Sequence, residues 1–231
     1  MLSIFVETSC NRYNRDECEF CHVYEPLMEH PVSEWHLTVP QAQVMADKIR
    51  NVEVLNTLAQ QEINLTGGEA SQNPDIVEIC KVFQAVTPYV CLHTNLDMLS
   101  ENSKRWQRLV AIMKLGARVD ITLYPTAWEK SQKHFLEEML KLQNKLIMNV
   151  VYESLPDLQK QIGLLLNFFS NKSFSHVTEL LQSYADKVAM LIEKHPNCDE
   201  KLFTVGLGDT EAFASKPEFI FGISLLPAFN I

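Results

Sequence analysis

Residues 1–21, MLSIFVETSCNRYNRDECEFC, combine an apolar run with a group of cysteines. The apolar run, Leu2 to Val6, has the length of a buried strand and continues through a short polar turn into three cysteines: Cys10, Cys18 and Cys21. Three thiols on a loop that directly follows a strand can bind zinc, form a disulfide or hold an iron–sulfur cluster.

The number and spacing of these cysteines favour an iron–sulfur cluster. A structural zinc usually takes four protein ligands, commonly as two separated pairs, and the chain offers no second Cys-x-x-Cys. A cubane [4Fe-4S] cluster needs one thiolate per iron, so three cysteines leave one iron open to another molecule. Zinc stays open as an alternative, because His22, His30 and His36 lie near enough in the sequence to complete a zinc site.

The cysteine loop resembles that of the radical S-adenosylmethionine (SAM) superfamily, usually written Cys-x3-Cys-x2-Cys. Thr8-Ser9-Cys10-Asn11 is similar to the family's lead-in, and Phe20 precedes Cys21, where the family commonly has an aromatic residue. The first gap here is seven residues instead of three. Because loop-closure entropy rises slowly with length, chain geometry tolerates the longer loop.

Two strand ends further along the chain also resemble the family. Thr66-Gly67-Gly68-Glu69 is similar to its Gly-Gly-Glu segment after the second strand, although Ala70 stands where a proline is common. Leu92-His93-Thr94-Asn95 resembles the end of the third strand, with Leu96 in place of the usual glycine. Both segments follow short apolar stretches, as the family's order of motifs requires.

Two more stretches complete the series of resemblances. Val119 to Leu123 is similar to the fourth strand of the family, with Thr122 at a position often held by serine, and Leu146 to Val151 resembles the fifth. The five matches occur in the family's order and together cover most of residues 2–153.

The resemblance implies a [4Fe-4S] cluster on Cys10, Cys18 and Cys21, with SAM bound to the open iron by its amino and carboxylate groups. Electron transfer into the sulfonium then gives methionine and a 5'-deoxyadenosyl radical, which abstracts hydrogen from a substrate. The implied cofactor-binding residues are Phe20 near the adenine, the Gly67, Gly68 and Glu69 segment at the methionine amino group, and Thr94, Asn95 and Thr122 at the ribose or methionine. The implied partners are a small-molecule or peptide substrate and a reducing protein such as flavodoxin or ferredoxin.

Composition limits the class of protein. A chain of 231 residues with 46% apolar content can bury one core, and its net charge of −9 repels the phosphates of duplex nucleic acid. No apolar stretch reaches the roughly 18 residues of a membrane span, and the start lacks the positive flank of a signal peptide. The scattered cysteines, Cys80, Cys91 and Cys198, favour reduced thiols. We therefore expect a cytoplasmic protein without a membrane partner, with Cys80 in the core and Cys91 lacking partners at ligand spacing.

Short strand-like stretches alternate with amphipathic helical ones, which predicts parallel βαβ units. Six such units predict an α/β fold, a partial (β/α)6 barrel in a single domain over residues 1–231, and this is also the fold that the resemblance implies. The barrel core covers residues 1–209, with a sixth strand over residues 202–207. The tail, residues 210–231, closes one barrel end or binds a partner. In such folds the loops at the carboxyl ends of the strands build the active site.

The sequence leaves two other functions open. One is a non-catalytic module that binds zinc, an iron–sulfur cluster or a partner on the same barrel. The other is a metal-free sugar or phosphate enzyme, which would need an acid–base pair at strand ends, and the sequence points to no particular pair.

Overall fold

The computed structural model describes residues 1–10, 35–97, 99–124, 127–142, 146–152, 155–170, 175–194, 212–216 and 219–227. Seven strands are formed by these residues: β1 Leu2–Glu7, β2 Ile63–Gly67, β3 Val90–Thr94, β4 Arg118–Leu123, β5 Leu146–Tyr152, β6 Ala212–Lys216 and β7 Phe219–Pro227. The helices are α1 Val39–Asn51, α2 Glu53–Gln61, α3 Ile76–Gln84, α4 Lys104–Lys114, α5 Lys133–Lys141, α6 Leu155–Phe169 and α7 Ser175–Lys194.

The strands form one sheet in the order β1-β2-β3-β4-β5-β7-β6. Strands β1 to β5 are parallel to one another, β7 is parallel to β5, and β6 pairs antiparallel with β7. This confirms an α/β fold with a parallel sheet in a single domain. The order is linear, and β1 does not pair with the far edge among the described strands. The strand predicted over residues 202–207 lies outside the described residues, and the strand beside β5 is β7, in the segment treated above as a tail.

One face of the sheet is aliphatic. It consists of the inward residues of β1 to β5, such as Ile4, Ile63, Leu92 and Ile121, which are all 3% exposed or less. These side chains form one hydrophobic cluster to which every one of the seven helices contributes. Burial of apolar surface on this scale is the main stabilising force of the fold.

The opposite face is mostly polar. Because side chains alternate along a strand, the residues between the aliphatic ones share this face, and the strand register aligns them in rows: Ser3, Asn64, Thr66, Cys91, His93, Arg118, Asp120, Thr122 and Asn149. Several of them are buried, with Asn64 at 5%, Asp120 at 4% and Asn149 at 7% exposure. This face, which we call the polar face, lies outside the hydrophobic cluster.

Local sequence signals explain several helix boundaries. Thr38 forms a capping box with Gln41, and a proline stands in the first turn of α1, as the sequence predicts. Gly116 follows α4 with a φ of +79°, the left-handed conformation that ends helices and favours glycine. Helix α3 begins directly after Asp75, three residues beyond Asn73, and the side-chain oxygen of Asn73 accepts from the Asp75 amide at 2.8 Å.

Asn73 also holds two neighbouring segments together. Its side-chain amide donates to the carbonyl oxygens of Val6, at 2.6 Å, and Leu37, at 2.9 Å, and it is fully buried. We expect Asn73→Ala to lower the free energy of unfolding by about 2–3 kcal/mol, since buried acceptors lose their donor. Urea unfolding measures this, with Asn51→Ala, at an exposed position, as the control. Equal midpoints for the two variants would contradict this role of Asn73.

Within the described part of the chain, no helix combines the length and the apolar character that crossing a membrane would require.

Candidate functional site

Strand β1 ends in a turn that Glu7 holds in place. The Glu7 carboxylate is 5% exposed and accepts hydrogen bonds from the backbone amides of Thr8 and Ser9, both at 2.9 Å. Charge-assisted bonds to successive amides fix the backbone of a turn. Cys10, the first predicted cluster ligand, follows this turn directly and is half-buried.

The same turn also anchors the chain where it returns from the cysteine loop. The amide of Thr8 donates to the carbonyl of Trp35 at 3.0 Å, and the amide of Trp35 donates to the Thr8 hydroxyl at 2.8 Å. The chain therefore leaves the end of β1 at Cys10 and is bound to it again at Trp35. Several predicted site residues lie outside the described residues: Cys18, Phe20 and Cys21, and with them His22 and His30.

The Gly-Gly-Glu segment lies against this turn. The amide of Gly68 donates to the carbonyl of Glu7 and the amide of Glu69 to that of Ser9, each at 2.8 Å. Gly67 has a φ of +136°, and a Cβ at this position would lie 2.2 Å from the Glu7 carbonyl oxygen. Only glycine adopts this backbone at this distance. Gly67 therefore allows the end of β2 to approach the residues that lead into Cys10.

The carboxylate of Glu69 is 1% exposed and surrounded by donors. One oxygen accepts from the amide and the hydroxyl of Ser71 and from the Thr94 hydroxyl, at 2.8 Å for the last. The other accepts from the Asn95 amide at 2.9 Å and pairs with Arg105 at 3.1 Å. A carboxylate has about four lone-pair positions, so these contacts occupy it. Glu69 therefore connects the ends of β2 and β3 with helix α4.

Asn95 links this network to Cys10. Its side-chain nitrogen lies 4.0 Å from the Cys10 sulfur, and its side-chain oxygen accepts from the Asp97 amide at 2.9 Å and from Arg105 at 3.0 Å. Asn95 is 6% exposed. The first cysteine of the predicted cluster thus lies against a residue that Glu69 holds by its backbone amide.

Leu96, at the position where the resemblance has glycine, retains a glycine-like backbone. Its φ is +51°, and its side chain is fully buried. The left-handed conformation costs a non-glycine residue about 1–2 kcal/mol. Burial of a leucine side chain contributes about 1.5–3 kcal/mol, which offsets the strain.

Thr122 lies further along the same edge of the sheet. The Gln132 side chain donates to the backbone carbonyls of Asn95 and Thr122, at 2.9 Å for the second, and accepts from the Tyr124 amide at 2.9 Å. Gln132 is fully buried and closes one turn of π-helix, Trp128–Gln132. The Thr122 side chain itself is on the polar face and pairs in register with Asn149. Thr122 is therefore at the predicted edge but does not contact Glu69.

A second group of reactive side chains lies deeper on the polar face. Cys91 and His93 are two residues apart on β3, and Asp120 on β4 pairs in register with His93. Their ligand atoms all lie within 4.8 Å of one another. The expectation that Cys91 lacks partners at ligand spacing is therefore wrong. Arg118 binds the Asp120 carboxylate at 2.8 Å and also contacts Glu62.

Burial changes the acid–base behaviour of this group. It raises the pKa of the Cys91 thiol well above its usual value, and the neighbouring Asp120 carboxylate raises it further. Burial also lowers the pKa of His93, although Asp120 acts in the opposite direction. At pH 7 the group therefore contains a thiol and a neutral imidazole.

Sequence reasoning missed Arg105, although a signal was present. Arg105 is 11% exposed and contacts Glu69, Thr94 and Asn95. It stands in the first turn of α4, where the helix dipole disfavours a cation, so its presence there indicates a specific partner. By contrast, Cys80 behaves as expected: it belongs to the core, and burial raises its pKa to about 12.

Neither a protein-family model nor a curated protein sequence matches this chain.

Proposed function

We propose that the chain is a radical SAM enzyme whose site lies at the carboxyl edge of β1, β2 and β3. The observation that carries this is the convergence of Cys10, the Gly67–Glu69 segment and Asn95 in one hydrogen-bonded group. These segments are far apart in the sequence and each matches a motif of that family. An arrangement in which only one of them reached this edge would not support SAM binding.

The sheet topology supports a partial (β/α)6 barrel. Parallel neighbours in sequential order are joined by right-handed crossovers, so an order without reversal places the connecting helices on one side of the sheet. All seven described helices contribute to the cluster of the aliphatic face, which agrees with this. A sheet curved toward the polar face would bury Asn64, Asp120 and Asn149 as observed.

Cys10, Cys18 and Cys21 would hold the proposed iron–sulfur cluster, and Cys10 is the one of the three that lies among the described residues. Cys10 is half-buried at this edge of the sheet, and the side-chain nitrogen of Asn95 lies 4.0 Å from the Cys10 sulfur. Hydrogen bonds to cluster sulfurs tune the reduction potential. When bound, the cluster would supply the electron that cleaves SAM to methionine and a 5'-deoxyadenosyl radical. The protein's part is to position SAM and to exclude water.

The chain's own residues divide this work. The backbone of Gly68 and Glu69 is hydrogen-bonded to the turn that leads into Cys10, and in this proposal the methionine end of SAM lies along this segment. The Glu69 carboxylate is occupied by protein donors, so in this proposal it positions Thr94 and Asn95 and does not bind the amino group itself. A small-molecule or peptide substrate would lie over the polar face, beyond Thr122.

A reducing partner such as flavodoxin or ferredoxin, and a cytoplasmic location, belong to the same proposal. A low-potential electron must come from outside the chain, and reduced thiols persist in that compartment.

The test is anaerobic reconstitution of the full chain with iron and sulfide, followed by SAM and a reductant. We expect about four iron per chain and formation of 5'-deoxyadenosine. Cys10→Ser should lose both, while Cys80→Ser, a buried cysteine on α3, should retain both. If wild-type protein with a full complement of iron formed no 5'-deoxyadenosine, the proposed enzyme activity would be refuted.

A second candidate is a non-catalytic zinc- or cluster-binding module on the same fold. The occupied Glu69 carboxylate favours it, because a purely structural Glu69 would make the same contacts. Elemental analysis of the purified protein discriminates: about one zinc per chain without iron supports the module, and about four iron supports the enzyme.

A further inference from the structure

Three side chains of zinc-ligand type meet on the polar face, away from Cys10. Cys91 and His93 share a face of β3, and Asp120 is directly opposite His93 on β4. The imidazole Nε2 of His93 lies 3.9 Å from Asp120 Oδ2. All three residues are on two adjacent strands of a parallel sheet, so the positions of their backbones relative to one another are fixed.

The distances suit a zinc ion after a small adjustment. With zinc bonds of about 2.0–2.3 Å in a tetrahedron, ligand atoms are roughly 3.3–3.8 Å apart, against the 4.8 Å limit found here. His93 can supply this movement, because its side chain is 33% exposed whereas the side chain of Asp120 is buried. A thiolate, an imidazole and a carboxylate are all zinc ligands, and three protein ligands leave a fourth position open.

The surrounding charges favour a divalent cation. Arg118 forms ion pairs with both Asp120 and Glu62, which leaves one negative charge unbalanced among these three residues. Coordination replaces the thiol S–H bond of Cys91 with an S–metal bond and releases the proton to solvent. The group then carries two negative charges, which one divalent ion balances. Arg118 would act as the hydrogen-bond partner that metal-bound carboxylates usually have.

Asn64, which is next to Cys91 on the neighbouring strand, gives independent support for a ligand at this site. Its side-chain oxygen is buried and finds no hydrogen-bond donor within the described part of the chain. Asn64 pairs in register with Cys91, so it is on the same face. Buried acceptors without a donor are rare, and a water molecule held on a metal ion is a donor that would satisfy it.

We propose that Cys91, His93 and Asp120 form a zinc site on the polar face, with the fourth position taken by water. The alternative to the zinc site is a hydrogen-bonded group without metal, in which the Asp120 carboxylate accepts from the Cys91 thiol. Zinc binding here does not depend on the cluster or on SAM, so it can hold whether or not the chain is a radical SAM enzyme.

The experiment is equilibrium dialysis of the full chain against Zn²⁺ after chelation, without iron, sulfide or SAM. Because the Cys10 loop can also bind zinc, the readout is the difference between variants. We expect His93→Gln and Cys91→Ser to bind one zinc fewer per chain than wild type at a free zinc concentration just sufficient to saturate wild type, because loss of a ligand should weaken binding at least as much as the roughly 10- to 100-fold caused by loss of a ligand's hydrogen-bond partner. Cys80→Ser is the control and should bind as wild type does.

Cobalt substitution supplies a second readout. Wild type and Cys10→Ser should both show thiolate-to-cobalt charge-transfer absorption, and in the Cys10→Ser background this absorption should decrease on adding Cys91→Ser. Circular dichroism verifies that His93→Gln is folded, which its partly exposed side chain favours. Equal zinc stoichiometry and affinity in wild type and folded His93→Gln would overturn the site.

Discussion

Gly67→Ala is expected to lower the free energy of unfolding by on the order of 4 kcal/mol or more, enough to unfold a marginal domain. The new Cβ would lie 2.2 Å from the Glu7 carbonyl oxygen and 3.2 Å from the Glu7 amide nitrogen. Both are backbone atoms of β1, so neither can move without separating β1 from β2. The φ of +136° adds strain that no alanine relieves. Urea unfolding followed by circular dichroism measures the loss.

Two other glycines are the matched controls. Gly116 also has a positive φ, +79°, but nothing lies within 4 Å of its Cβ position, so Gly116→Ala should cost only about 1–2 kcal/mol. Gly163 is inside α6 with open space around it, and Gly163→Ala should stabilise by about 0.5–1 kcal/mol. If Gly67→Ala unfolded at the same urea concentration as Gly116→Ala, the close approach of β1 and β2 would be wrong.

Arg105→Met is expected to destabilise the fold by about 3–5 kcal/mol, because it leaves the buried Glu69 carboxylate without its counter-charge. Arg105 also donates to the carbonyl of Asp97 and to the Ser71 hydroxyl, so several buried acceptors lose a donor together. In a folded fraction of this variant, SAM binding should weaken as well, since Thr94 and Asn95 lose a contact. Thermal unfolding and SAM titration are the measurements.

A second substitution separates charge from packing. In Arg105→Met/Glu69→Gln both charges are absent, and we expect recovery of about half of the lost stability, because a neutral amide costs less to bury than an unpaired carboxylate. Arg50→Met is the exposed control. Arg50 pairs with Asp47 at side-chain exposures of 42% and 70%, and removal of such a pair costs 1 kcal/mol or less, roughly. A double variant less stable than Arg105→Met would exclude the ion pair as the cause.

Sequence periodicity predicted the parallel α/β architecture and the inner faces of most helices. Ile76, Ile79 and Phe83, which follow one another at helical spacing, are all fully buried on α3. The signal is reliable here because apolar side chains at helical spacing have one way to leave water. Helix α2 was not predicted as a separate element; it follows α1 after one residue.

The candidate site, like the fold, was predictable only in part. The positions of Glu69, Thr94 and Asn95 follow from motif order, since carboxyl ends of parallel strands meet at one edge. What Glu69 contacts does not follow, because Arg105 comes from a helix and its orientation depends on tertiary packing. Leu96 shows a further limit. In the sequence, leucine in place of glycine departs from the family's motif, yet Leu96 has the positive φ that glycine usually adopts.

The Cys91, His93 and Asp120 group was missed for a physical reason. Cys91 and His93 are on one face because strand side chains alternate, but Asp120 joins them only through the register of β3 and β4. Register between parallel strands depends on the crossover connection and its packing, which spacing in a single sequence does not specify.

Electron paramagnetic resonance of the anaerobically reconstituted and reduced protein, with and without SAM, is the most direct test of the proposed cluster and of its open iron. A reduced [4Fe-4S] cluster is paramagnetic, and a ligand on one iron changes its signal. We expect one cluster signal per chain that shifts when SAM is added and is absent in Cys10→Ser. A signal that SAM leaves unchanged, or equal signals from wild type and Cys10→Ser, would contradict a cluster held by Cys10 with an iron open to SAM.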